Sequence, residues 1–206
     1  IRSGGNTGRI LVLTGDAGLG KSRLIDELRA QIAVDECRCL ESHCLSYTQN
    51  VSYSAYMDIV RSALGLNAGD SEAEGWTKLR QQLAELLPVE VSDDILPYLA
   101  SFLSWHLPEA LAERVTYLEG EALQRQVIRA VVTVLEALAA RQPMLLVFDD
   151  LHWADSASLA LLERTLTLVD RSPILIALLY RPDRTHGSWA LGEAAARTYP
   201  AQCVTV

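Results

Sequence analysis

The run GDAGLGKS, Gly15 to Ser22, decides the fold of this chain. It follows the apolar stretch Ile10 to Leu13 and opens a helical pattern from Ser22 onward. The run fits the pattern G-x-x-x-x-G-K-[ST] of a loop that binds phosphate. Glycines let successive backbone N–H groups point at phosphate oxygens, and the helix that follows offers its positive N-terminal end. An ordinary glycine turn is the alternative, but the flanking strand and helix are the context that a phosphate loop requires.

Individual residues of this loop have expected roles. We expect Lys21 to meet the β- and γ-phosphates of a nucleotide and the Ser22 hydroxyl to bind Mg²⁺. The expected nucleotide-binding residues are those of the loop and the residue after it: Gly15, Asp16, Ala17, Gly18, Leu19, Gly20, Lys21, Ser22 and Arg23.

Composition and charge exclude several classes of protein. A chain of 206 residues, 50% of them hydrophobic, can bury a full core, and we predict one domain over residues 1–206. The net charge of −8, with 18 lysines and arginines, argues against direct binding of nucleic acid, which needs clustered positive charge. The longest apolar runs fall far short of the roughly 20 residues that span a bilayer, so no membrane contact is expected.

The ends of the sequence indicate a fragment. The chain begins with Ile1 rather than Met, and Cys203 to Val206 read like a strand that has barely begun. We therefore expect the chain to be part of a longer polypeptide whose other domains are its partners.

Three cysteines cluster beside His43 and suggest zinc as one interpretation. The spacing of Cys37, Cys39 and Cys44 is not one of the strong zinc-ligand spacings. Cys37 and Cys39 alternate along a predicted strand, Glu36 to Glu41, so they share one face and serve better as small apolar residues. Reduced thiols and a nucleotide site both suit the cytoplasm, which is the expected compartment.

Strands and helices alternate along most of the chain, which predicts an α/β fold. The predicted strands are Ile10–Thr14, Glu36–Glu41, Met144–Phe148, Ile174–Tyr180 and Gln202–Val206. The predicted helices run from Ser22 to near Val34, over Glu121–Ala140, over Ser156–Val169 with Asp155 as its cap, and over Gly192–Arg197.

A helical insertion at about residues 47–119 interrupts this alternation between strands 2 and 3. Its predicted helices are Tyr53–Leu64, Glu72–Leu87 and Asp93–Trp105. Four aromatic residues of the insertion either line a partner-binding groove or, as is commoner at such spacings, belong to its core: Trp76, Tyr98, Phe102 and Trp105.

Two carboxylates end the third predicted strand. An apolar strand that ends in a carboxylate usually supplies the second half of a phosphate-loop site, so we expect Asp149 to serve Mg²⁺. Side chains alternate along a strand, so Asp150 can reach the γ-phosphate side only as the chain leaves the strand. A solvated strand end or a helix cap is the alternative for this pair.

The motifs GDAGLGKSRL, LLVFDDLHWAD (Leu145 to Asp155) and LLYRPD (Leu178 to Asp183) together carry a resemblance. The chain resembles the ATPase domain of the signal-transducing ATPases with numerous domains, which are related to the AAA+ proteins. In these motifs it is similar to the ATPase modules of large LuxR-type regulators and of multidomain adenylate or guanylate cyclases. The resemblance covers nearly the whole chain, although the insertion matches loosely.

This resemblance implies a P-loop NTPase three-layer sandwich whose five-stranded parallel sheet has the order 5-1-4-3-2. It implies ATP with Mg²⁺ as ligands and Asp150, Lys21 and Arg181 as catalytic residues, with Arg181 at a sensor position near the γ-phosphate. A surface arginine before a loop is the alternative for Arg181. His152 and Trp153 are expected to fix the loop after Asp150, and related ATPases suggest self-association.

The sequence also departs from the family pattern. Many related ATPases carry Glu where Asp150 stands, so slow hydrolysis is expected. The family's base-enclosing upstream segment and its C-terminal lid are not in this chain, so adenine specificity rests on the resemblance.

Three functions follow as hypotheses. The first is a regulatory ATPase module of a multidomain signalling or transcription-regulatory protein. The second is a nucleotide-gated binding scaffold with negligible hydrolysis. The third, a small-molecule phosphotransferase, needs an acceptor pocket and a base that the sequence does not offer clearly.

Overall fold

The computed structural model describes residues 7–33, 36–118 and 120–206. The strands are β1 (Arg9–Thr14), β2 (Arg38–His43), β3 (Met144–Asp149), β4 (Ile174–Tyr180) and β5 (Cys203–Thr205). The helices are α1 (Lys21–Ala30), α2 (Ser54–Ala63), α3 (Glu72–Leu86), α4 (Val89–Phe102), α5 (Glu109–Thr116), α6 (Glu121–Arg141), α7 (Ser156–Leu166) and α8 (Gly187–Thr198). These residues divide into two compact units, Ile1–Ile59 with Ala139–Val206, and Val60–Leu138.

The first unit is built on a parallel sheet with the strand order β2-β3-β4-β1-β5. Read from its other edge, this is the order 5-1-4-3-2 that the resemblance implies, so the predicted fold is confirmed. Every paired strand is parallel, and β3 lies between β2 and β4. All carboxyl ends therefore lie along one edge of the sheet, where ligands of open α/β sheets bind.

Strands β1, β3 and β4 carry apolar side chains on both faces of the sheet. Both faces are therefore covered by other elements. One face packs against Ile25 of α1. The residues of that buried cluster are Leu13, Ile25, Cys37, Leu145, Val147, Ala177 and Leu179, with Cys39 packed beside them. On the opposite face the ring of Phe148 lies 5.0 Å from that of Tyr56 in α2. Cys37 and Cys39 share a face, as predicted.

Helix α8 approaches the sheet very closely. A Cβ atom added at Gly192 would lie 1.8 Å from the Tyr180 hydroxyl oxygen. The ring of Trp189 also lies 6.5 Å from the Tyr180 ring, edge to face. Glycine at this position therefore allows α8 to pack on the last residue of β4.

The second unit is helical. Ser71 caps α3 in a reciprocal capping box with Glu74. The Trp76 and Trp105 rings lie 5.7 Å apart, and a Cβ atom at Gly75 would meet the Trp105 ring at 2.8 Å. Of the four aromatic residues considered for a partner groove, Tyr98 and Phe102 are buried, as expected of core residues.

Several predicted boundaries were wrong. Helix α1 ends at Ala30, short of Val34, which lies outside the described residues. Strand β2 is shifted by two residues and reaches His43, because its register with β3 runs from Arg38 opposite Met144 to His43 opposite Asp149.

Other helices also differ from the sequence-based prediction. Helix α4 begins after Pro88, four residues before the predicted start, since a proline is well suited to precede a first turn. Helix α8 begins at Gly187, because the His186 side chain accepts a hydrogen bond from the backbone N–H of Ser188 and caps it. Helix α5 was not predicted.

Candidate functional site

A cavity of about 300 Å³ lies at the carboxyl edge of the sheet. Its lining combines the loop after β1 with the ends of β3 and β4. The lining residues are Ala17, Gly18, Gly20, Lys21, Ser22, Arg23, Asp149, Asp150 and Arg181. Segments more than 150 residues apart in sequence therefore meet around one space.

Three residues of the expected nucleotide-binding set do not line this cavity. Gly15 and Asp16 present backbone carbonyls to Lys21. Leu19 is 71% exposed and lines a neighbouring cavity of about 760 Å³, which also contacts Gly18, Gly20 and Lys21.

Two glycines shape the loop. Gly18 and Gly20 have φ values of 83° and 86°, in the left-handed region that favours glycine. Gly20 is also the N-cap of α1, and because it has no side chain it cannot supply a capping oxygen. The first-turn N–H groups of α1 consequently remain available at the cavity, where the positive end of the helix favours an anion.

Lys21 is held by its own loop. Its Nζ donates hydrogen bonds of 2.7 Å to the Gly15 carbonyl and 3.1 Å to the Asp16 carbonyl. The ammonium group thus stays at the cavity rim with its charge unpaired by any carboxylate among the described residues.

Ser22 and Asp149 are in direct contact. The Ser22 hydroxyl donates a 2.7 Å hydrogen bond to Asp149 Oδ2, and the Asp150 N–H donates a 2.8 Å bond to Asp149 Oδ1. Asp149 is 6% exposed, so its carboxylate is fixed by buried contacts. A hydroxyl and a carboxylate side by side form an oxygen-donor set that suits Mg²⁺, which usually keeps further positions for water and phosphate.

Asp150 leaves the strand with a left-handed backbone. Strand β3 ends at Asp149, and Asp150 has φ 52° and ψ 38°. Asp tolerates this region better than most residues. After this abrupt turn, Asp150 lines the same cavity as Asp149.

Arg181 directly follows β4. It is exposed and lines the same cavity as the loop residues. The Gly15 N–H donates a 3.3 Å hydrogen bond to the carbonyl of Tyr180, which ties the start of the phosphate loop to the residue before Arg181.

His152 is buried close to this site. It is 8% exposed, and neither ring nitrogen has a hydrogen-bond partner among the described residues. Its Nδ1 lies 3.8 Å from Asp150 Oδ1. Burial lowers the pKa of His152, and the positive charge of Arg181 lowers it further, while Asp150 opposes the shift. The imidazole is therefore held neutral beside Asp150.

His43 is a neighbour of the site, whereas its sequence context suggested only a possible zinc cluster. Its Nδ1 lies 3.7 Å from Asp149 Oδ2, and its Nε2 lies 3.4 Å from Glu41 Oε1. The strand order could have predicted this proximity, because β2 lies next to β3 and the ends of the two strands therefore lie together. The predicted strand ends at Glu41, two residues before His43, so it does not place His43 beside Asp149.

The cysteines do not form a metal site. Across the described residues no group of three His, Cys, Asp or Glu side chains is arranged to hold a metal ion. Burial raises the pKa of Cys37 to about 11 and that of Cys44 to about 12, which disfavours the thiolate that a metal would need.

Among all the residues that the structure describes, every helix is too short or too polar to traverse a lipid bilayer.

Two comparisons with known proteins bear on the family of this chain. An uncharacterized protein of Rhizobium meliloti (strain 1021) is 26% identical over 178 residues, which cover 85% of this chain and 16% of that protein. The chain thus spans about a sixth of the length of that relative. The family profile described as "AAA ATPase domain" matches residues 1–177, from before the phosphate loop into β4. With a match over most of its length, and with the fold and cavity described above, the chain belongs to the AAA ATPase domain family.

Proposed function

We propose that this chain is an ATP- and Mg²⁺-binding module that hydrolyses ATP slowly and regulates a multidomain signalling or transcription-regulatory protein. One observation supports the proposal above others: the phosphate-loop pattern, both carboxylates and Arg181 surround a single cavity. AAA ATPase domains generally use ATP and Mg²⁺. The relative's much greater length supports a role as one module among several.

Phosphate binding is the first part of the proposed function. The first turn of α1 presents N–H groups, and Lys21 adds a full positive charge at the same place. Lys21 would exchange its bonds to the Gly15 and Asp16 carbonyls for bonds to phosphate oxygens.

Metal binding is the second part. Ser22 and Asp149 are the residues that would hold Mg²⁺, since their oxygens already lie 2.7 Å apart. When bound, the ion would neutralise charge on the phosphate oxygens. Ser22 would supply a hydroxyl ligand, and Asp149 would act through a water molecule.

Hydrolysis is the third part, and Asp150 and Arg181 are the residues proposed for it. Asp150 would accept a hydrogen bond from the attacking water, and Arg181 would stabilise charge that develops on the γ-phosphate. The Asp150 side chain is one methylene shorter than Glu, which supports slow rather than rapid turnover.

Location and partners complete the proposal. Four free thiols, at Cys37, Cys39, Cys44 and Cys203, support a reducing, cytoplasmic compartment. The proposed partners are other domains of the same polypeptide and further copies of the module.

A thermal-shift titration tests nucleotide binding. Nucleotide at about 100 times its dissociation constant should stabilise the folded chain by about 2.7 kcal/mol. We expect ATP with Mg²⁺ to raise the melting temperature of the wild type and of Lys78→Ala, but not of Lys21→Ala. Lys78 is a matched control, because it pairs with Asp70 outside the cavity lining. An equal shift in all three proteins would refute the site.

The variant Asp150→Asn separates slow hydrolysis from a scaffold that only binds. Asn also tolerates a left-handed backbone, so the substitution changes the chemistry and leaves the turn in place. We expect release of inorganic phosphate to fall sharply while nucleotide affinity persists. A wild-type full-length protein that binds ATP without releasing phosphate would favour the scaffold.

A further inference from the structure

Asp155 joins two segments that are far apart in sequence. It is 6% exposed, and its carboxylate accepts five hydrogen bonds. Oδ1 accepts from the N–H groups of Tyr53 at 3.0 Å and Ser158 at 2.9 Å. Oδ2 accepts from the Ser54 N–H at 3.0 Å, the Ser54 hydroxyl at 3.1 Å and the Ser158 hydroxyl at 2.5 Å.

These bonds go beyond an ordinary helix cap. Asp155 is the N-cap of α7 through Ser158, which is a local contact. Its bonds to Tyr53 and Ser54 span 102 and 101 positions of sequence and hold the first residue of α2. The Ser158 hydroxyl also accepts a 3.2 Å bond from the Ala55 N–H, which strengthens the same junction.

A short hydrogen-bonded turn connects this junction to the candidate site. Between Asp150 and Asp155 the chain forms a 3₁₀ turn, Leu151–Trp153. The Trp153 N–H donates to the Asp150 carbonyl at 2.9 Å, and the Ala154 N–H donates to the Leu151 carbonyl at 3.1 Å. Two bonds within a turn this short restrain how far Asp155 can move independently of Asp150.

We propose that Asp155 is a positioning residue that couples the first turn of α2 to Asp150. Helix α2 leads into the helical second unit, since it runs from Ser54 to Ala63 and the unit begins at Val60. A partner or ligand that shifts the first turn of α2 would therefore alter hydrolysis through Asp155, without contacting the nucleotide. The effect on hydrolysis rests on the function proposed above, whereas the mechanical coupling does not.

Hydrogen exchange on the full chain tests the coupling directly. Ser54→Ala removes one bond to Asp155 from the α2 side and leaves the candidate site unchanged. We expect the Trp153 and Ala154 amides to exchange roughly tenfold faster, the factor that corresponds to losing one hydrogen bond to a charged group. Ser71→Ala is the matched control, because it removes a serine N-cap from α3 and has no bond to Asp155. We expect it to leave those amides unchanged.

Exchange that rises only near Ser54, with Trp153 and Ala154 unaffected, would overturn the proposal and leave Asp155 as a local cap. A rise of equal size in Ser71→Ala would also overturn it, because the effect would then be general loss of stability. Asp155→Asn should give a larger effect than Ser54→Ala, but the test does not depend on it if that variant fails to fold.

Phosphate release supplies a second readout. We expect Ser54→Ala to lower kcat with KM for ATP unchanged, whereas loss of nucleotide binding would raise KM. Absence of turnover in the wild type would refute the proposed hydrolysis, and the exchange measurement would still decide the coupling. Unchanged kcat alongside faster exchange at Trp153 would overturn the link to Asp150.

Discussion

The Ser22 hydroxyl donates a 2.7 Å hydrogen bond to Asp149 Oδ2 across 127 positions of sequence. This contact joins the first turn of α1 to the end of β3. It places a hydroxyl and a buried carboxylate at the edge where the parallel strands end.

Asp149→Asn should weaken the effect of Mg²⁺ on nucleotide binding. A neutral amide accepts a weaker bond from the Ser22 hydroxyl and holds a metal-bound water less well than a carboxylate does. Hydrogen bonds to charged groups contribute about 1.5–3 kcal/mol, so the tightening of ATP binding by Mg²⁺ should fall roughly tenfold or more. Calorimetric titration of ATP with and without Mg²⁺ measures this. Asp183→Asn, an exposed aspartate outside the cavity lining, is the control, and an unchanged Mg²⁺ effect in Asp149→Asn would contradict the assignment.

Arg181→Ala should reduce the preference for ATP over ADP. A guanidinium near the γ-phosphate stabilises ATP and not ADP, and we expect the ratio of the two affinities to fall roughly tenfold. Dissociation constants for both nucleotides, measured by calorimetry, give the ratio. Arg184→Ala is the matched control, because Arg184 lies 5.3 Å over the Trp189 ring and outside the cavity lining. If both variants keep the wild-type ratio, Arg181 is only a surface arginine.

Gly192→Ala should destabilise the chain. Its Cβ atom would lie 1.8 Å from the Tyr180 hydroxyl oxygen, so α8 or Tyr180 must move. Overpacking of this kind costs about 1–3 kcal/mol. Urea unfolding followed by circular dichroism measures the loss. Gly69→Ala is the control, since no atom lies within 4 Å of a Cβ there. Equal stability of the two variants would show that α8 can move away from Tyr180 without a loss of stability.

His152 should make the chain less stable in mild acid. Burial holds its pKa below 6.5 in the folded state, so the unfolded chain binds the proton more readily. The contribution of His152 to the free energy of unfolding is therefore complete above about pH 6.5, the pKa of the unfolded state. It is lost as the pH falls from there through the lowered pKa of the folded state. One proton changes this free energy by at most about 1.4 kcal/mol per pH unit.

Urea unfolding of the wild type and of His152→Gln between pH 5 and 8 isolates this contribution, because Gln does not titrate. We expect the difference between the two proteins to shrink as the pH falls. A difference that stays flat across this pH range would show that burial does not lower the pKa of His152.

The parallel sheet was predictable because each of its inner strands is short, apolar and followed by a distinctive residue. Gly15 after β1, Asp149 at the end of β3 and Arg181 after β4 mark the carboxyl edge directly in the sequence. The order of the strands was not available from spacing, and it came from the resemblance. The helical content of residues 54–102 was predictable from periodicity, but its boundaries depended on caps such as Pro88.

The contacts of Asp155 could not be predicted beyond its role as the cap of α7. A cap is a local pattern of a few residues, whereas bonds to Tyr53 and Ser54 depend on how α2 returns to α7. The proximity of His43 to Asp149 could not be predicted, for a related reason. Strand β2 is mixed in polarity, so its register is fixed by pairing with β3 and not by its own sequence.

The two bonds from Lys21 to the carbonyls of Gly15 and Asp16 occupy two of the three N–H donors of its ammonium group. In the proposed function these two bonds are exchanged for bonds to phosphate oxygens, so part of the attraction is offset by the loss of internal partners. The affinity that Lys21 adds is then smaller than its full positive charge would suggest.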